Sequence, residues 1–261
     1  MSRQAITLYD IPSSVLEDKC WSPNVWKIRF ALNFKGLPYK TEWVEFPDIE
    51  ALAKRLGAPH TAVRRDGSPF YSVPIIYDPE AQKYVANALD IALYLDRAYP
   101  DTPPLFPRGA EAFIAVFEDA FMEKVVPHMI PLMMTRVINQ LNDASKGFFR
   151  ETREARLKAK LEDLAPPEKQ EALWGKLRGA LGKFDAYAKF GGTEMPYFAG
   201  ARMTYADMLA AGWLVWMKRL WGPQSKEWKA LEGWHDGRWG ALMREISKLE
   251  YVEFATVKAS L

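Results

Sequence analysis

Ser22-Pro23 opens a helix that runs through Trp26, Phe30 and Leu32 and stops at Gly36. Serine suits the cap, proline fits the first helical position, and Trp21 can staple onto Trp26. The pair follows a short strand, at the carboxyl edge of a sheet, where ligands of open α/β sheets gather. Free N–H groups and the helix dipole favour an anion there, a thiolate included. A serine hydroxyl can accept a capping bond and still donate its own proton to that anion. A serine that only caps is the plainer reading of the same residues.

A second helix start, Thr204-Tyr205-Ala206-Asp207, resembles a capping box, with Met203 and Met208 at the staple positions. It is read as structural. Three scattered histidines and the lack of a phosphate-type glycine loop offer nothing for metal or nucleotide chemistry.

The elements around these residues fall into two groups. Residues 5–10 alternate as a strand, 39–46 are rich in β-formers, and Asp48 can cap a brief helix ending at Gly57. A polar loop over 57–72 leads to a strand at 73–77, a short strand at 83–85 and a helix over 88–99. The order β-α-β-α-β-β-α predicts a mixed sheet with helices, an α/β domain. Prolines 100, 103, 104 and 107 then stiffen a linker, and only helical spacing follows. Phe113, Val116, Phe117, Ala120 and Phe121 carry one such pattern, and Ile130 to Leu141 another, with Pro127 and Pro131 expected to kink or divide the helix. A third helix bears Leu173, Leu177, Leu181 and Phe184 and stops at Gly191-Gly192; a fourth runs over 204–220.

Composition narrows the function classes. Thirty-five basic against 33 acidic side chains give a net charge of +2, without the basic face of a nucleic-acid protein. No apolar run reaches membrane-spanning length, so no membrane partner is expected. One cysteine, Cys20, excludes an internal disulfide, and the cytoplasm is the expected location. Ten tryptophans are more than a core of this size needs, which suggests a lined pocket. Leu209, Trp213, Trp216, Met217 and Leu220 share one helical face, while Trp221, Trp228, Trp234 and Trp239 follow at no helical period. The pocket expected from this pattern is lined by Trp213, Trp216, Met217 and Trp221, with the later tryptophans as a wrapped wall.

In order and spacing, the Ser22-Pro23 start, the Val73-Pro74 strand start, the helix over 88–99 and the 200–207 box resemble a cytosolic glutathione transferase across essentially the whole chain. The stretch Trp21-Ser22-Pro23-Asn24-Val25-Trp26-Lys27 and the Trp-rich carboxyl end more narrowly resemble the etherase-like class of fungal transferases, related to bacterial lignin β-etherases. The resemblance implies a thioredoxin-like glutathione-binding domain over 1–101 and an all-helical hydrophobic-substrate domain over 108–261. It implies a homodimer, a role in detoxification, glutathione as cosubstrate, and hydrophobic aromatic small molecules as partners. Ser22 would stabilise the glutathione thiolate. Val73-Pro74 would carry a cis bond that presents the Val73 backbone to the cysteinyl part of glutathione.

The chain also departs from the family pattern. Where most members hold the γ-glutamyl group with an acidic residue and a serine, this chain has Asn87-Ala88. Loss of one charge-assisted bond costs about 1.5–3 kcal/mol, roughly ten- to a hundredfold in affinity. Either glutathione binds weakly, or His60 or Arg65 compensates. Asn24 either adds an amide donor or is an exposed first-turn residue. Two other functions stay open: a ligandin that sequesters aromatic compounds, which Asn87-Ala88 favours, and a thiol transferase that depends on Cys20.

Overall fold

The computed structural model describes residues 3–191 and 196–253. In the amino-terminal part, β1 (Ile6–Asp10), α1 (Pro23–Lys35), β2 (Tyr39–Trp43), α2 (Ile49–Leu56), β3 (Ala62–Val63), β4 (Pro69–Phe70), β5 (Ile75–Asp78), β6 (Lys83–Ala86) and α3 (Ala88–Ala98) follow in turn. The main sheet has the order β2-β1-β5-β6, with β1 and β2 parallel and the other neighbours antiparallel. β1 is buried on both faces because helices cover it, which suits its continuous Ile6-Thr7-Leu8 burial. This is a thioredoxin-like domain, as expected.

Three local expectations are corrected. The second strand ends at Trp43 rather than residue 46, because Pro47 sets the φ of a 3-10 turn over Phe46–Asp48. Asp48 makes no side-chain cap to α2. The 57–72 loop contains the hairpin β3–β4, turned at Asp66-Gly67, with Gly67 at φ 81 and the Asp66 carboxylate accepting from Ser68. The Asp-Gly dipeptide was the available signal.

The carboxyl-terminal part is helical: α4 (Glu111–Lys124), α5 (Val126–Asn139), α6 (Asp143–Leu157), α7 (Pro167–Ala188), α8 (Tyr205–Trp221) and α9 (Lys226–Ile246). The expected division falls at Val125, two residues before Pro127, while Pro131 lies inside α5. A 3-10 turn over Lys189–Gly191 follows α7; Gly192, the rest of the expected stop, lies outside the described residues. No helix among the described residues is long and apolar enough to cross a membrane.

Helix α8 is the centre of this part, buried at every position from Tyr205 to Met217. It packs on α1 across Gly212, where an added Cβ would lie 2.7 Å from the Pro23 carbonyl oxygen. Only glycine permits that approach. The wrapped wall of tryptophans is corrected too: Trp228, Trp234 and Trp239 belong to α9, and Trp228 and Trp239 are fully buried packing residues. α9 is broken at His235, Asp236 and Gly237, all at positive φ. The His235 ring is set against Gly182 of α7, and its Nδ1 accepts a 2.8 Å bond from Trp239 Nε1.

Within the amino-terminal part, Arg29 and Asp10 form a 3.0 Å pair, both fully buried, and Arg29 also donates to Thr41 Oγ1 on β2. Other charged groups join the two parts. Lys27 reaches Glu118 of α4 at 2.9 Å. Arg219 of α8 contacts Asp18, the Cys20 carbonyl and Glu250, with its guanidinium 4.4 Å from the Trp26 ring centroid. The chain then returns along α1 and β2. Asn33 donates to the carbonyls of Leu249 and Tyr251, and the Thr41 N–H donates to Glu253 Oε1 at 2.7 Å.

The capping box holds the loop before α8. The Asp207 carboxylate accepts from the N–H groups of Phe198 and Thr204 and from the Thr204 hydroxyl, at 2.8–2.9 Å. Burial pushes its carboxyl up to about 6. An unfolded Asp titrates near pH 3.9, so between these values the folded chain binds more protons and loses stability as pH rises. The loss amounts to about 3 kcal/mol. Asp207→Asn removes the titration. Denaturant unfolding should therefore show the wild type's advantage over Asp207→Asn shrinking by that amount between pH 3 and pH 7. An advantage independent of pH refutes the assignment.

Candidate functional site

Strand register explains why distant residues converge. Tyr9 lies opposite Ile75, and Ile75 opposite Ala86. The chain leaving β1 toward Ser22, the chain entering β5 through Val73-Pro74, and the chain leaving β6 into Asn87-Ala88 therefore emerge at one edge of the sheet. β2 is parallel to β1, so Glu45 and Phe46 leave at the same edge.

Ser22 is the residue before α1, in extended backbone, with Pro23 at the first helical position. Its hydroxyl makes no capping bond, a correction to the cap expected for it. Ser22 is buried, and its oxygen stands where the first-turn amides and the helix dipole favour negative charge. Asn24 is partly exposed in that first turn. Trp21 is 4% exposed and its indole Nε1 has no hydrogen-bond partner; its ring lies 6.2 Å from Phe46.

The Val73-Pro74 bond is cis, as the resemblance implied, and both residues are buried. Asn87 sits beside it, donating its N–H to the Pro74 carbonyl at 3.2 Å. The Asn87 side chain caps α3 by accepting from the Leu89 N–H, at a backbone φ of 76. Ala88 is the first residue of α3 and is buried. His60 is exposed, with its ring 6.5 Å from that of Tyr71, and Arg65 is exposed in the hairpin turn.

Cys20 does not join this edge as a nucleophile. It is fully buried, its Sγ donates to the Asp18 carbonyl, and burial pushes the thiol well above its usual range. A thiolate is therefore scarce there at neutral pH.

Among the residues expected to line a pocket, Trp213 lies beside the first turns of α1, its ring 5.8 Å from Lys27 Nζ. Trp213 and Trp216 meet edge-on at 5.3 Å; both indole N–H groups are buried without a partner. Met217 is fully buried, while Trp221 stacks on Trp174 at 5.1 Å. An open recess of about 410 Å³ lies at the other end of α1, lined by Phe34, Met203 and Leu249, and includes none of these residues.

The turn after β2 also carries Phe46, whose ring lies 5.4 Å from that of Phe149 on α6, a contact that nothing local in the sequence announces.

Comparison with known proteins accounts for both parts. The glutathione S-transferase N-terminal domain family matches residues 21–98, and the glutathione S-transferase C-terminal domain family matches residues 112–249. A glutathione S-transferase of Ceriporiopsis subvermispora, solved in complex with glutathione, is 44% identical at a TM-score of 0.93, over 96% of this chain and 100% of that one. A glutathione transferase of Phanerochaete chrysosporium is 38% identical at a TM-score of 0.92, over 97% and 100%. A glutathione S-transferase-like protein of Aspergillus flavus, ustS, is 28% identical over 86% of this chain and 83% of its own length. Matched in both parts by one family, and by solved relatives over nearly its full length, the chain belongs to the glutathione S-transferases, enzymes whose cosubstrate is glutathione.

Proposed function

We propose that this transferase adds glutathione to hydrophobic aromatic electrophiles and that Ser22 stabilises the reacting thiolate. The convergence of Ser22, cis Val73-Pro74 and Asn87-Ala88 at one sheet edge is the observation that supports this reading. The Ser22 hydroxyl, free of any capping bond, donates to the glutathione sulfur while the start of α1 supplies favourable potential. A free thiol ionises near pH 8.5, and lowering that by two units takes about 2.7 kcal/mol of selective stabilisation. One hydroxyl bond and a helix terminus supply energy of that order. The thiolate then attacks the electrophilic carbon; a C–S bond forms and the leaving group departs with its electron pair. With an aryloxide as leaving group the same step cleaves an aryl ether, the chemistry of the etherase-like class.

Val73 offers its backbone to the cysteinyl part of glutathione, and Asn87-Ala88 receives the γ-glutamyl end. Asn24 and His60 are the remaining candidates for contact. Trp213, Trp216, Met217 and Trp221 are proposed to bound the aromatic pocket. The glutathione domain ends by residue 101 and the helical one begins at 108. The exposed apolar pairs Val63 and Phe70 on the hairpin, and Phe113 and Val116 on α4, support a homodimer. A single cysteine, held reduced and buried, suits a cytoplasmic protein with a part in detoxification.

Asn87 is committed to capping and carries no charge, which favours a second reading, sequestration of aromatic compounds with little turnover. Calorimetric titration with glutathione separates the two. On the first reading glutathione binds measurably, and Asn87→Glu with Ala88→Ser tightens it roughly ten- to a hundredfold, the worth of one charge-assisted bond. No binding heat for the wild type supports sequestration. Unchanged affinity in the double variant means the γ-glutamyl end lies elsewhere.

A further inference from the structure

At the same sheet edge, α6 of the helical part brings a cation against the aromatic rings beside Ser22. The Arg153 guanidinium lies 5.2 Å from the Phe46 ring centroid and 4.8 Å from that of Phe149. These two rings are 5.4 Å apart, and Phe46 in turn lies 6.2 Å from Trp21, the chain neighbour of Ser22. Cation–π contact and one 3.0 Å bond to the neighbouring Thr152 hydroxyl are what hold the guanidinium.

No carboxylate among the described residues forms an ion pair with Arg153. Its neighbour Arg150 pairs with both Glu154 and Glu162. Glu45, adjacent to Phe46 in the chain, is occupied at the start of α6, where its carboxylate accepts from Asn142 at 2.6 Å and from Ser145. Burial, with Arg156 adding positive potential, lowers the Arg153 guanidinium to about 10, the direction expected of a cation short of solvent and of anions. A half-buried charge without a counter-ion is costly unless a ligand supplies one.

We infer that Arg153 is a specificity-determining residue that selects acceptors bearing an acidic group on an aromatic ring, such as a carboxylate or an acidic phenolate. The ring lies against the partly exposed Phe46, and the anion takes the guanidinium fork in paired hydrogen bonds. The inference rests on the transferase reading of Ser22 and adds to it a class of acceptor. A carboxylate of glutathione has the same chemistry as this anion, so the test must tell the two sources apart.

A chlorodinitrobenzoate and its methyl ester form a matched pair of electrophiles that differ by one charge. Their affinities can be read by quenching of tryptophan emission, and their turnover by conjugation, in which sulfur displaces chloride. The wild type should bind the benzoate at least tenfold more tightly than the ester, a preference that weakens with added salt. Arg153→Gln should bring the benzoate to the level of the ester, with glutathione affinity by calorimetry the same in both proteins. Arg153→Lys, which keeps the charge but not the fork, should retain only part of the preference and serves if the glutamine variant does not fold. A wild type without preference, or a preference that survives in Arg153→Gln, overturns the inference. So does a loss of glutathione affinity in Arg153→Gln, which would assign the anion to glutathione. If neither electrophile is conjugated, the catalytic reading fails, and the quenching titrations still decide the role of Arg153.

Discussion

Ser22→Ala should lower kcat/KM for glutathione conjugation roughly ten- to a hundredfold near pH 6.5, the worth of one hydrogen bond to a charged group. Ser22 carries no cap, so the change should leave the melting temperature nearly unmoved. Loss of the donor raises the thiol's apparent pKa in the complex by one to two units, at about 1.36 kcal/mol per unit. The deficit should therefore shrink as pH rises toward 9, where the thiolate forms without help. A rate–pH profile that is uniformly lower, with its inflection unmoved, would place Ser22 in positioning rather than thiolate stabilisation. Rates equal to the wild type at every pH would remove it from the mechanism.

Arg29→Met should be the most destabilising single change in the sheet domain. Asp10 ends β1 and accepts from the Ile11 N–H, and its charge is met by Arg29 at 3.0 Å with neither side chain exposed. The same guanidinium holds Thr41 on β2 and packs among the rings of Trp26, Tyr39 and Trp43. Removing one member of a buried pair strands the other and costs about 3–5 kcal/mol, a large share of the roughly 5–15 kcal/mol typical of a folded chain. Adding Asp10→Asn removes the stranded charge, so the double variant should recover a good part of the loss in denaturant unfolding. Additive losses in the two single variants would show that the pair does not act as a unit.

Much of this was legible before any coordinates, for identifiable reasons. Ser22-Pro23, Thr204 to Asp207 and the strand from Val73 depend on local chemistry, and local chemistry is written in adjacent residues. Helix α9 was not legible. His235, Asp236 and Gly237 adopt positive φ and reset the helical period between Trp234 and Trp239, so no single repeat could contain the three tryptophans. α6 was missed because its buried side is narrow: Ser145 and Phe149 are the buried residues of fifteen. Hairpin β3–β4 has two residues per strand, and its first strand is wholly exposed, leaving no alternation to read. The candidate site divides the same way. Ser22 and Asn87 announce themselves by type and neighbours. Phe46 and Arg153 meet only because α6 packs on the turn after β2, a contact that spans about a hundred residues of chain.

The return of the chain over 249–253 bears on how these molecules behave toward one another at high concentration. β2 is the outer strand of the sheet, and an outer strand offers open amides and carbonyls on which a foreign strand can grow. Here the Thr41 amide is taken by the Glu253 carboxylate, and the Tyr39 hydroxyl is engaged by both the Tyr251 carbonyl and the Glu253 amide. The Glu253 carboxylate and the Tyr39 hydroxyl are the groups through which the segment holds β2. An outer strand covered in this way is less open to sheet-to-sheet pairing, and the cover comes from residues that follow α9.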